Sequence, residues 1–127
     1  MNMPKQAILT DKAPTPGGAY SQALRVGNFV FVAGTTPRNA ETGAMADTIE
    51  GQTVQVMENI KVILEAAGAS MDDVVKSTVH LSDLNMFQQF NEVYAKYFND
   101  PKPVRTTVGS QLHGMLVEID VIAYLED

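Results

Sequence analysis

The chain contains no cysteine. That absence excludes disulfides, thiolate nucleophiles, iron–sulfur clusters and cysteine-type zinc sites together. Basic residues are also few: nine Lys and Arg face fifteen acids, for a net charge of −6. A protein that grips the nucleic-acid backbone usually carries a basic face. Here Lys5, Lys12, Lys61, Lys76, Lys96 and Lys102 are scattered, so a nucleic-acid partner is not expected. The two histidines, His80 and His113, form no HxH or HExxH pattern, and no metal site is expected. The glycines at 17, 18, 27, 34 and 43 match no nucleotide-binding fingerprint. No apolar run approaches the ~20 residues of a membrane span. The opening Met1–Gln6 lacks the apolar stretch of a signal peptide. The expectation is a cytoplasmic protein with no membrane partner.

What is present is enough for a real core: 127 residues, 45% of them hydrophobic, read as one domain over 1–127. The turn-forming run Ala13–Gly18 predicts a loop. Ala23–Val26 and Phe29–Ala33 flank Gly27-Asn28 and read as a β-hairpin. Phe29–Ala33 is apolar on both faces, which hints at a subunit interface. Asp47 with Glu50 resembles a capping box. Ile49, Thr53, Val56, Ile60, Ile63 and Ala67 then keep helical spacing, and Gly68 closes that helix.

Asp73–Leu81 is rich in β-branched residues and reads as a strand, with Lys76 on a face shared by Val74, Thr78 and His80. Asp83 is placed to cap a second helix carrying Leu84, Phe87, Phe90, Tyr94 and Phe98, stopped by Pro101 and Pro103. Two strands finish the chain, about 104–110 and 116–125. The order β-β-α-β-α-β-β is α+β, a mixed sheet with two helices on one face. In the last strand Val117, Ile119, Val121, Ala123 and Leu125 point toward the helices. Glu118, Asp120, Ile122 and Tyr124 point away, a mixture that suits an oligomer interface better than open water.

Arg105 is one of only three arginines and sits among β-branched residues. A guanidinium placed there needs an anionic partner. If the last two strands are antiparallel neighbours, Arg105 and Glu118 share a face. Two readings follow. The pair satisfies itself internally, or Arg105 anchors a ligand carboxylate while Glu118 serves a water. Tyr20 either lines a pocket or fastens its loop to the core. Asn91, on or beside the apolar helical face, either fixes backbone or meets a ligand. Ser21, Ser77, Ser82 and Ser110 show no Ser-His-acid arrangement.

Six segments, in order, carry a resemblance. They are Ala19-Tyr20-Ser21-Gln22-Ala23, Ala33-Gly34-Thr35-Thr36-Pro37, the helix from Gln52 to Ile60, Asp73–Val79, Asp83-Leu84 and Phe87 with Asn91-Glu92-Val93-Tyr94, and Pro103-Val104-Arg105-Thr106 with Val117-Glu118-Ile119. The chain resembles the RidA (YjgF, L-PSP) family over about residues 15–125. The resemblance implies a chorismate-mutase-like α+β subunit in a homotrimer, with an inner β-barrel and ligand clefts between subunits. It implies hydrolysis of reactive 2-imino acids or their enamines, made by PLP-dependent dehydratases, to 2-oxo acids and ammonia, as in 2-iminobutanoate/2-iminopropanoate deaminases. By resemblance Arg105 clamps the substrate carboxylate, Glu118 positions or activates water, and Tyr20, Ala33, Gly34, Asn91 and Thr107 line the cleft. No cofactor is implied. Two positions depart from the family pattern: Ala33 stands where Ser is frequent, and Thr107 where Cys is frequent. Both bear on substrate range more than on reaction class, and Val26, Phe29 and Leu112 are further places where pocket size would differ. Related family activities are 2-aminomuconate deamination, single-stranded endoribonuclease or translation inhibition, and non-catalytic ligand binding.

Overall fold

The computed structural model describes residues 4–126. Six strands form one sheet: β1 (Gln6–Ile8), β2 (Ala23–Val26), β3 (Phe29–Thr35), β4 (Val74–Leu81), β5 (Val104–Gly109) and β6 (Val117–Tyr124). Their spatial order is β1-β2-β3-β6-β4-β5. Neighbours are antiparallel except β4 and β5, which run parallel. Two helices, α1 (Ile49–Ala66) and α2 (Phe87–Tyr94), pack together. The expected α+β class holds, with one strand more than the sequence pattern suggested: β1 lies along β2, with Ala7 opposite Leu24.

The hairpin between β2 and β3 turns at Gly27, whose φ of +58° lies in the region that suits glycine. Helix α1 is capped by Thr48 rather than Asp47. The Thr48 hydroxyl accepts from the Gly51 N–H at 3.1 Å, while Glu50 in the first turn faces the positive end of the helix dipole. Gly68, at φ +82°, ends it as expected. The Asp83 carboxylate accepts from Asn85 N–H at 2.9 Å, but it caps a 3₁₀ turn (Leu84–Met86) that leads into α2. A second 3₁₀ turn, Ala95–Tyr97, follows α2. The predicted second helix is thus a short α-helix between two tighter turns.

The core lies between the helices and one sheet face, where Val30, Val79, Ile119, Ile60, Leu64 and Phe90 are fully buried. The alternation expected in β6 holds: Val117, Ile119, Val121 and Ala123 are inside. In β4 a bulge between Val74 and Lys76 breaks the alternation, so Val74 is buried and does not share the outer face with Lys76, Thr78 and His80. Among the described residues no helix lies on the opposite sheet face. That face exposes Phe29, Phe31, Tyr124 and Val26, and the Phe29 and Tyr124 rings lie 5.1 Å apart. No described helix is long and apolar enough to cross a membrane.

Candidate functional site

Of the two readings of Arg105, internal pairing with Glu118 is overturned. Strand β4 lies between β5 and β6. Arg105 is registered against Ser77 of β4, and Glu118 against His80. Ser77 faces the core and His80 faces the helix-free side. Arg105 and Glu118 therefore project from opposite faces of the sheet. The candidate residues fall into two groups.

The first group lies at the β5 edge beneath α2. The Arg105 guanidinium carbon sits 4.8 Å from the Tyr94 ring centroid, 5.3 Å from Phe87 and 5.8 Å from Phe90. Such contacts hold a cation without neutralising it. Arg105 donates through Nη1 to the Asn91 side-chain oxygen at 2.7 Å. Asn91 thus orients the guanidinium, a role that neither open reading of its sequence position contained. Tyr94 is itself fixed by a 2.6 Å hydrogen bond with the buried Ser77 hydroxyl. Burial pushes the Tyr94 hydroxyl above its ordinary pKa, against the opposing effects of the Ser77 bond and the Arg105 charge. Thr107 is registered against the buried Val79 and shares the Arg105 face. Among the described residues no carboxylate pairs with Arg105.

The second group gathers around β3. Between Val32, paired with Val121, and Thr35, paired with Ile119, the strand carries Ala33 and Gly34 opposite Asp120 alone. This bulge keeps both Val32 and Thr35 buried and leaves Gly34 exposed. A Cβ on Gly34 would lie 2.5 Å from Glu118 Oε2 and 3.2 Å from its Cδ, so the missing side chain makes room for the carboxylate. Glu118 makes no ion pair or hydrogen bond with another side chain among the described residues. Tyr20, Ala33 and Gly34 line one cavity of about 220 Å³, together with Arg38 and the loop from Pro14 to Gly17. The Tyr20 hydroxyl accepts from Gly17 N–H at 3.2 Å. Buried Gln22 ties down the same loop, donating to the Pro14 carbonyl at 2.9 Å.

Some participants were not legible beforehand. Phe87, Phe90 and Tyr94 read as plain core spacing, yet together they form the bed under Arg105. Ser110, read as belonging to no Ser-His-acid arrangement, meets His80 Nδ1 at 2.7 Å. No carboxylate completes a triad around them among the described hydrogen bonds and ion pairs.

Residues 10–125 match the family model described as Endoribonuclease L-PSP. The chain belongs to this family. A RutC family protein of Pyrococcus abyssi is 54% identical over 127 residues, spanning 98% of this chain and 100% of its own. A Dermatophagoides farinae protein named 2-iminobutanoate/2-iminopropanoate deaminase is 40% identical, spanning 97% of this chain and 98% of its own. Among solved structures, a Thermotoga maritima protein superposes with TM-score 0.92 at 47% identity, covering 96% of this chain and 98% of its own. Escherichia coli TdcF, solved with bound serine, superposes at TM-score 0.91 and 35% identity, covering 95% and 99%. The fold of this L-PSP family member is therefore the RidA fold, and some of its relatives are named reactive-intermediate deaminases.

Proposed function

We propose that the protein hydrolyses reactive 2-imino acids, or their enamine tautomers, to 2-oxo acids and ammonia. The observation that carries this reading is Arg105: a guanidinium oriented by Asn91 and bedded on three aromatic rings, with no acid in the described chain to neutralise it. A substrate carboxylate is its natural partner. The likeness to a named 2-iminobutanoate/2-iminopropanoate deaminase and to TdcF with bound serine supports a small amino-acid-like ligand.

The reaction asks little of the protein. A protonated imine carbon is already electrophilic. Water adds to it, giving a carbinolamine, which expels ammonia and leaves the carbonyl. Arg105 fixes the acid, with Thr107 beside it on the strand. Glu118 takes the water's proton, and Tyr20, Ala33 and Gly34 wall the reacting end. No metal or organic cofactor is required for a pre-activated electrophile.

Arg105 and Glu118 lie on opposite sheet faces, so one cleft receives Arg105 from one subunit and Glu118 from the next. The exposed Phe29, Phe31 and Tyr124 cluster and the open edge of β5 supply the surfaces for a homotrimer.

The deciding measurement is 2-oxo acid release from imines generated by an amino-acid oxidase. Arg105→Ala abolishes the acceleration, and Glu118→Gln slows turnover with less loss of carboxylate binding. Wild-type rates in Arg105→Ala would remove the anchor. RNA cleavage by nuclease-free protein with no imine turnover would replace this reading with a ribonuclease.

A further inference from the structure

The cavity walled by Tyr20, Ala33 and Gly34 contains one charged lining residue, Arg38, and no acid. Arg38 stands exposed at its rim. Among the described residues its guanidinium makes one hydrogen bond, from Nη1 to the Gly43 carbonyl, at a long 3.4 Å. A guanidinium carries five donors, so most of this one's capacity remains open. No carboxylate pairs with it among the described residues.

The backbone beneath Arg38 is held firmly. Buried Asn59 of α1 donates through Nδ2 to the Arg38 carbonyl at 2.9 Å and to the Thr36 carbonyl at 3.0 Å. Asn59 is held in turn by Gln55, which donates to its Oδ1 at 2.9 Å. The loop that carries the arginine is thus braced from the helix, and the Arg38 backbone is held beside the cavity.

Resting on the deaminase reading, we propose that Arg38 is a specificity residue that receives a second anionic group of the substrate. The substrate class is then 2-imino dicarboxylates, the imines of acidic amino acids. The 2-carboxylate goes to Arg105 of one subunit and the side-chain carboxylate to Arg38 of the next. The cavity, at about 220 Å³, is below the ~300–1,000 Å³ of pockets for drug-sized ligands. It suits a short acidic side chain. A guanidinium and a carboxylate meet through paired, charge-assisted hydrogen bonds. The preference comes from binding the second acid, and not from the chemistry at the imine carbon.

Two readouts test this in the full-length protein. Calorimetry compares 2-oxoglutarate with 2-oxobutanoate as product-like probes, for wild type, Arg38→Gln and Arg38→Lys. Arg38→Gln weakens 2-oxoglutarate about tenfold or more relative to 2-oxobutanoate, and Arg38→Lys restores part of the difference. Kinetics compare imines generated from glutamate and from leucine, and the ratio of kcat/KM falls in the same order through KM. An unchanged probe preference in Arg38→Gln overturns the proposal, as does equal weakening of both probes. Selective loss of 2-oxoglutarate binding without turnover of any imine upholds Arg38 as the second-acid site and rejects the deaminase reading instead.

Discussion

A single missing side chain decides where the Glu118 carboxylate rests. A methyl at Gly34 would stand 2.5 Å from Oε2, but the atom it meets is the end of a flexible side chain rather than backbone. Gly34→Ala therefore costs little stability and moves the carboxylate. The expected outcome is a loss in kcat approaching ~100-fold, the order that a displacement of about 1 Å in a reacting group produces. The thermal midpoint should stay within a few degrees of wild type. Unaltered kcat in a folded variant would deny Glu118 its role. At this scale the sequence singled out the residues on which the proposed chemistry rests. An arginine among β-branched residues and an acid inside an apolar strand are costly placements that draw attention. What it left open was their partners, because a hydrogen bond such as Arg105 to Asn91 depends on the angle between a strand and a helix.

At the scale of elements, buried polar side chains on α1 organise the loops around the cavity. Gln52 accepts from Leu116 N–H and donates to the Ala46 carbonyl, both at 2.8 Å, while Asn59 holds the loop from Thr36 to Arg38. Asn59→Leu leaves two loop carbonyls without their donor and should destabilise the fold by about 1–3 kcal/mol, measured by urea denaturation at unchanged m-value. A loss under ~0.5 kcal/mol would show that water replaces the side chain there. The hairpin, both helices and the last two strands were legible from turn residues and periodicity. The misses have local causes. Thr48 and Asp47 are both good caps, and backbone geometry chose Thr48. Strand β1 is three residues long, half exposed and too short for a period-2 pattern to register. Leu84 and Phe87 keep helical spacing yet remain exposed, because the chain enters α2 through a 3₁₀ turn.

The whole molecule raises the question of where a complete site forms. If each cleft joins Arg105 of one subunit to Glu118 of another, two impaired variants repair each other. Arg105→Ala and Glu118→Gln subunits, unfolded and reassembled together, should exceed either variant alone in the proposed imine hydrolysis. No recovery in verified mixed assemblies would place the site within one subunit. Phe31→Asp puts a charge into the exposed aromatic face that the proposed trimer would bury, and should then shift the protein toward monomer in sedimentation, with activity falling in parallel. A trimer that withstands this substitution would place the interface elsewhere.

The sequence by itself determined most elements, the α+β class and the family, and it singled out the residues on which the proposed chemistry centres. Local propensity, turn chemistry and motif order are enough for that. Only the tertiary structure decided that β4 lies between β5 and β6, so that Arg105 and Glu118 emerge on opposite faces. Period-2 alternation fixes which residues of one strand share a face, but it carries no information about which strand lies beside which. That choice is made by the parallel β4–β5 connection through α2 and by packing against the helices.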